Sequence, residues 1–483
     1  MALSIRPPSV PYYESGRFGL WTGYFFTINC VVGAGFLSIP WAFQRGGWVF
    51  CLIFQLLVSG VSMYLSKQLL EVMSRVEVLQ RMKEEDQKVP TVRFCELFTQ
   101  KGEELLPQTH HTPEITARRF DITEIVRVIF GEKWSIAYLF CMVFYNLGIQ
   151  LAYSSIFAVS FASNVPLGTL GTCDIYQDEE FFTDCRWKYW VYLGVFFVCM
   201  LYLTIKGVEE QVWFQSAMTF VRFIVMTLVI VTCVFDIAYH QHNESSDYNS
   251  IDTPSYFDFD YIGNAIPIIL FASFYHNQIP TITEHVRERD KNLPKIISMT
   301  TVTCVVFYLA LGLIVPFAID DLPSMSTLSY RNYSAGHDES DKPWWTYIVE
   351  YIIIIFPAID VFSAFPLQGI PLADNMLSLK YGALPKNAIP RGGLLFFRSL
   401  VVVLPVLIAF FEFNLGQILD FVGMVGFLMV PVTIPILHLA SRKLLEKESS
   451  YDVKPSSPWL SASISFAHIP LLLLVLVLNI KYP

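Results

Sequence analysis

Two short stretches of the chain combine residue types that could do chemistry with a setting in which chemistry is unusual. In NCVVGAGFLSIPWAF, residues 29–43, Gly33, Ala34 and Gly35 follow one another inside an apolar run and Pro40 stands five residues on. In NAIPIILFASFYHNQIPTITE, residues 264–284, Pro267 and Pro280 flank the small pair Ala272 and Ser273, which lie between Phe271 and Phe274 with His276 and Asn277 just after them. A helix interrupted at such places offers free amides, at the positive end of a half-helix dipole, to a carboxylate, and unwound carbonyls to a cation. In lipid each unpaired backbone group costs several kcal/mol, so an unwound stretch survives only where it lines a cavity or is buried in protein. Close packing of helices through small residues is the alternative, and the glycines alone leave both readings open. Arg222 and Asp360 also stand inside apolar runs, where ionisable residues are functional candidates by default.

The elements that must position these residues are membrane helices. The 483 residues are 54% hydrophobic and 15% aromatic with a mean hydropathy of +0.47, too apolar for an ordinary soluble domain. Runs of about 20 residues, long enough for ~30 Å of hydrocarbon, are read at 20–43, 48–66, 134–163, 189–205, 212–235, 261–282, 297–318, 345–370, 394–411, 417–440 and 459–480. The fold class expected is therefore all-α and polytopic, with eleven transmembrane helices. Interruptions in the first and sixth spans point to a five-plus-five inverted repeat with a site at the midplane between the repeats, plus one extra helix. The division expected is a tail over 1–19, spans 1 and 2 over 20–66, and a cytosolic loop over 67–133. Spans 3 to 5 over 134–235 complete the first repeat, and an outer loop follows over 236–260. Spans 6 to 10 over 261–440 form the second repeat, then come a cytosolic loop over 441–458 and span 11 with its outer end over 459–483.

Lysine and arginine set the orientation. Of 33, 26 fall on the side of residues 1–19 and 67–133, which assigns the amino terminus to the cytosol and the carboxyl terminus to the outside or a lumen. Residues 1–19 are polar and carry no apolar core of a cleaved signal, so the first span is expected to start insertion. The sequons at Asn243 and Asn332 fall on the outer side and are expected to be glycosylated. Cys173 and Cys185 are the two cysteines of nine on the oxidising side, which predicts a disulfide between them; Cys30, Cys51, Cys141, Cys199, Cys233 and Cys304 are expected to be core residues. In the 67–133 loop, Asp121 to Glu124 reads as a capping box opening a short amphipathic helix, and the middle is expected to lack fixed structure. His110 and His111 have no cysteine partners and are read as solvated, so no metal site is expected.

The run Asn29, Gly33, Gly35, Leu37, Pro40, Ala42, Phe43, Gly47 and Trp48 resembles the first-span signature of the amino acid/auxin permease superfamily, eleven-span amino acid transporters. Pro267, Phe271, Ala272, His276, Pro280 and Glu284 resemble its sixth-span pattern, and Gly423, Gly426, Pro435, His438 and Leu439 fit the tenth. FDITEIVRVIFGEKW at 120–134 and FPAIDVFSAFP at 356–366 are similar to the transmembrane protein 104-like branch of it. The resemblance implies an amino acid held between spans 1 and 6, its carboxylate on the amides of Gly33, Ala34 and Gly35, with coupling to sodium or a proton. Asn29 matches the asparagine that assists sodium in the family, together with a hydroxyl in span 8. Here the eighth span has Asp360, with Ser363 one turn along, instead of a clear hydroxyl pair, which puts sodium in doubt.

At 1.5 Å per residue, Asn29, Arg222 and Asp360 all lie roughly 14–15 Å deep. In the fold that the resemblance implies, spans 1, 5 and 8 meet at the ion site, so Arg222 could stand in the place of sodium and pair with Asp360; a permanent structural salt bridge is the alternative. His276 could orient the sixth-span break, touch substrate or titrate near neutral pH. Phe271, Ser273 and, in span 3, Tyr145, Asn146 and Gln150 could line the cavity or serve as interhelical bonds.

The function expected is secondary active transport of amino acids by alternating access, without a cofactor and with H+ or Na+ as coupling ion. The alternative is a membrane-embedded amino acid sensor that binds without net transport. An enzyme is disfavoured by the absence of an HExxH, a nucleophile elbow or an aspartate pair at membrane depth, and ATP-driven pumping by the absence of a P-loop. The partners expected are an amino acid, the lipid bilayer and a cytosolic partner at the 67–133 loop, with no nucleic acid. The plasma membrane and endolysosomal membranes are equally open.

Overall fold

The computed structural model describes residues 18–85, 89–92, 113–115, 121–167, 184–206, 212–242, 254–331, 333–335, 342–381, 390–446, 448–452 and 458–481. Among these the chain is helical, with one isolated β-bridge between Phe18 and Val286. The α-helices are α1 (Leu20–Val32), α2 (Ile39–Gly46), α3 (Trp48–Glu84), α4 (Ile122–Phe130), α5 (Glu132–Asn164), α6 (Asp184–Lys206) and α7 (Val212–His242). Then come α8 (Ile262–Ser273), α9 (Ile279–His285), α10 (Arg289–Ile314), α11 (Trp344–Tyr381), α12 (Arg391–Ala409), α13 (Leu415–Leu444) and α14 (Pro458–Lys481).

The helices α3, α5, α6, α7, α10, α11, α12 and α13 are each long and apolar enough to cross a membrane. The first and sixth spans are divided, α1 from α2 and α8 from α9, so neither half crosses alone. Exposed apolar side chains such as Phe140, Val198, Phe235 and Leu407 clothe the outside, where acyl chains rather than water would meet them. Inside, α5 packs on α6, α11, α12 and α13, while α1 packs on α7 and α10 and α2 lies along α8.

Two local features differ from the sequence reading. The second helix does not stop near residue 66 but runs on to Glu84, because Leu69, Leu70, Met73, Val76 and Leu79 continue an apolar face at helical spacing and are buried. Its extension holds an ion cluster: Glu71 pairs with Arg75, lies 3.0 Å from His438 Nε2 and 3.5 Å from Arg442 Nε, and Arg75 reaches Asp452 at 2.9 Å. At the other end of the 67–133 loop, α4 begins where expected, but the Asp121 side chain makes no capping bond to it. His110, His111, Cys173, Asn243 and Asn332 lie outside the described residues, and Cys185 is buried in the first turn of α6.

The half-helices are tied at their far ends. Phe18 N–H donates to His285 O and Arg287 N–H to Phe18 O, both at 2.8 Å, so the segment entering α1 pairs with the segment leaving α9. On the opposite side Asp258 N–H donates to Gly46 O at 3.4 Å and Trp48 N–H to Ser255 O at 3.1 Å, joining the end of α2 to the approach to α8.

Candidate functional site

The first break is made by backbone geometry. Gly33 has φ 42° and ψ −138°, a conformation open in practice to glycine, and α1 ends there. A short 3₁₀ turn, Gly35–Leu37, follows before α2 starts with Pro40 in its first turn. Leu37 and Ser38 N–H donate to the carbonyls of Ala34 and Gly35, both at 3.2 Å, and among the described residues no backbone hydrogen bond outside the helices engages the amides of Gly33, Ala34 or Gly35. A Cβ on Gly35 would lie 2.8 Å from Cα and Cβ of Ala272, so the two broken spans touch at their interruptions.

The second break is held by hydroxyls from three helices. Phe274 is extended and ends α8, and a 3₁₀ turn over His276–Gln278 leads into α9 with Pro280 in its first turn. Tyr308 Oη of α10 donates to Ala272 O at 3.3 Å, Ser62 Oγ of α3 to Ser273 O at 2.7 Å, and Tyr145 Oη of α5 to Phe274 O at 3.3 Å. Successive carbonyls freed by the break are thus each paired, as an apolar interior demands.

Between the breaks lies a narrow cavity whose walls include Gly33, Gly35, Tyr145, Tyr153, Phe271 and Phe274. It measures about 20 Å³ for a water-sized sphere, room for little more than one water. A molecule the size of an amino acid would fit there only if these walls moved apart. Ala34 sits buried within the first break. Ser273 and His276, by contrast, turn toward α3: Gln55 Nε2 donates to Ser273 Oγ at 3.1 Å, and His276 Nε2 lies 3.0 Å from Ser62 O. Asn146 donates to Met142 O of its own helix at 2.9 Å, and Gln150 is held between Val401 O and the Gly369 amide.

Beside the first break, α1, α7 and α11 bring Asn29, Arg222, Asp360 and Ser363 together, all buried. Arg222 donates to Asp360 Oδ1 through Nε at 3.1 Å and Nη2 at 2.6 Å, and through Nη1 to Asn29 O at 3.2 Å. Asn29 O belongs to the last turn of α1, whose carbonyls have no helical partner and carry the negative end of the dipole; the guanidinium is the cation that this end attracts. Ser363 Oγ donates to Asp360 O at 2.9 Å and lies 3.5 Å from both polar atoms of the Asn29 side chain.

Sequence reasoning missed Gln215 and Tyr153. Gln215 accepts from Asn29 Nδ2 and donates through Nε2 to Ser363 O at 2.9 Å, joining all three helices. Its signal was present: Gln215, Thr219 and Arg222 follow at spacings of four and three, a polar stripe along one face of α7. Tyr153 lies eight residues after Tyr145, on the same face of α5. Among the described residues no group of three or more His, Cys, Asp or Glu could hold a metal ion.

The chain is similar to Transmembrane protein 104 homolog of Caenorhabditis elegans, 23% identical over 395 residues that cover 80% of this chain and 74% of that one. It is also similar to the Drosophila melanogaster homolog, 22% identical with 86% of each covered, and to Homo sapiens Transmembrane protein 104, 21% identical with 85% of each covered. Among solved structures, the crystal structure of MhsT in complex with L-phenylalanine superposes with a TM-score of 0.58 over 97% of this chain and 100% of that one, at 11% identity. At that identity the likeness speaks for the fold alone, an inverted repeat with the first and sixth helices broken and one helix added. A family model described as transmembrane amino acid transporter protein matches residues 16–456, from just before α1 to the loop after α13, and the chain belongs to that family.

Proposed function

We propose that the protein is a secondary active transporter that moves an amino acid by alternating access around a midplane site between α1/α2 and α8/α9, with a proton and not sodium as the coupling ion. The observation that carries this reading is the guanidinium of Arg222 on Asn29 O and Asp360. A permanent cation already answers the negative end of α1; the Asn29 amide donates to Gln215, Gln215 donates to Ser363 O, and the Ser363 hydroxyl donates to Asp360 O. Sodium would meet an unfavourable field beside that guanidinium.

The substrate carboxylate is assigned to the amides of Gly33, Ala34 and Gly35. Its side chain then faces Phe271, Tyr145 and Tyr153, walls without formal charge that favour a neutral amino acid. Arginine stays protonated, so the charge change falls to Asp360: a proton there loosens Arg222, and with it the hold of α7 on α11 and on the end of α1. Proton and amino acid move together, as symport. The orientation proposed keeps the amino terminus cytosolic, with a Cys173–Cys185 disulfide and glycans on Asn243 and Asn332 outside or in a lumen.

The test is uptake of a mixed labelled amino acid pool by vesicles containing the purified protein, with and without sodium and with an inside-alkaline gradient. Accumulation driven by the pH gradient and indifferent to sodium is the expected result. Strict sodium dependence overturns the coupling assignment. Saturable binding without any flux replaces the transporter by the sensor.

A further inference from the structure

On the lipid-facing side, away from the breaks, α5, α11 and α12 leave a groove of about 550 Å³ between them. Its walls are almost wholly apolar: Ile136, Phe140 and Val143 from α5, Leu379 from α11, and Phe397 and Leu400 from α12. One end is charged. Lys380 lines the groove at the last turn of α11, and its Nζ lies 5.9 Å from the centre of the Phe397 ring. Lys133 stands one turn before Ile136, and Arg391 opens α12 about 9 Å along the helix from Phe397, at 1.5 Å per residue. All three cations are exposed, and Glu132 is the one exposed acid in that first turn of α5. Trp134, also exposed, sits at the same level, where an indole marks the boundary between headgroups and acyl chains.

We propose that this groove is a binding site for an anionic phospholipid, its acyl chain along α5 and α12 and its phosphate at Lys380, with Lys133 and Arg391 adding attraction. The charge pattern decides the occupant. A purely apolar groove takes any bilayer lipid, whereas a basic mouth between membrane helices selects an anionic headgroup. The leaflet is the one on the basic side of the chain. The site has a route to the candidate centre, because α5 carries Tyr145 and Tyr153 and α11 carries Asp360 and Ser363. Between Ser363 and the groove α11 contains Pro366 and Pro371, each of which removes a helical hydrogen bond and softens the helix. A lipid wedged at Leu379 and Lys380 thus bears on the end of a helix that can bend above it.

The experiment uses the full chain in mixed micelles holding equal phosphatidylserine and phosphatidylcholine, with retained lipid read by native mass spectrometry. Wild type should retain phosphatidylserine over phosphatidylcholine by about tenfold. Lys380→Glu combined with Arg391→Glu should erase that preference while the protein still elutes as a single folded species. Leu400→Trp, which fills the groove, should lower retention of both lipids. An unchanged preference in the charge-reversed variant overturns the proposal. So does inorganic phosphate competing as well as phosphatidylserine, which would mean a plain anion site, or a lipid-free dimer, which would mean that a second copy covers the groove. None of these readouts depends on transport.

Discussion

Arg222 holds Asp360 by a single oxygen: Nε and Nη2 both donate to Oδ1, at 3.1 and 2.6 Å, and the remaining nitrogen is turned to a backbone carbonyl of another helix. One carboxylate atom therefore carries the whole charged link between α11 and α7, and neutralising it weakens two hydrogen bonds at once.

Asp360→Asn keeps the shape and an acceptor but mimics the protonated acid. Accumulation driven by a pH gradient should vanish in this variant, and exchange of internal for external substrate should persist, since exchange moves no net proton. Wild-type dependence of accumulation on pH in Asp360→Asn would make the ion pair purely structural.

Arg222→Ala leaves an acid buried without its cation and should destabilise the fold by about 3 kcal/mol or more. Adding Asp360→Ala to it should restore part of that loss, because the stranded charge is then gone. Thermal unfolding of each single variant and of the double variant in detergent gives the coupling; strict additivity would mean that the two side chains do not interact energetically.

Gln215→Ala strips partners from the Asn29 side chain and from Ser363 O. A loss of about 1–3 kcal/mol is expected, read as a lowered unfolding temperature together with slower uptake. Uptake at the wild-type rate would show that the cross-link among α1, α7 and α11 has no part in the cycle.

At the first break, Gly35→Val drives a branched side chain into Ala272 and should abolish substrate binding while the protein still inserts and matures. Gly33→Ala demands a strained backbone at φ 42° and ψ −138°, about 1–3 kcal/mol of stability that a lowered unfolding temperature reads. Equilibrium binding of a labelled amino acid mixture checks Gly35→Val; undiminished binding in that variant returns the glycines to helix packing.

Expression in a secretory system should give glycans on Asn243 and Asn332. Each single Asn→Gln change then shifts electrophoretic mobility, and the double change removes both steps. Absence of any shift contradicts the orientation drawn from the basic residues.

The breaks were legible because glycine and proline act locally: φ 42° at Gly33 and the proline-led starts of α2 and α9 follow from residue type. Arg222 and Asp360 were legible for a different reason, since a charge in an apolar run has few places to go. The directions of Ser273, His276 and Asn146 were not, because Gln55, Ser62 and Met142 O capture them through contacts that local sequence does not encode. Gln215 escaped for lack of charge, although its spacing to Arg222 marked the same helix face. Polar residues in 67–84 masked a helical apolar stripe, and with it the extension that carries Glu71.

The paired backbone bonds between Phe18 and the end of α9, matched by those between Gly46 and the approach to α8, turn four half-helices into two levers. The segment entering α1 is yoked to α9, and α2 to α8, each yoke at an extremity, while Gly35 and Ala272 form the pivot between them. In the proposed cycle leverage would run lengthwise: a small rotation at the pivot would become a wide swing at one membrane face with little displacement at the other. An oxidised cysteine pair at positions 18 and 286 fixes two parts of one lever and should leave flux intact, whereas a bond that fuses the levers across the pivot should stop it.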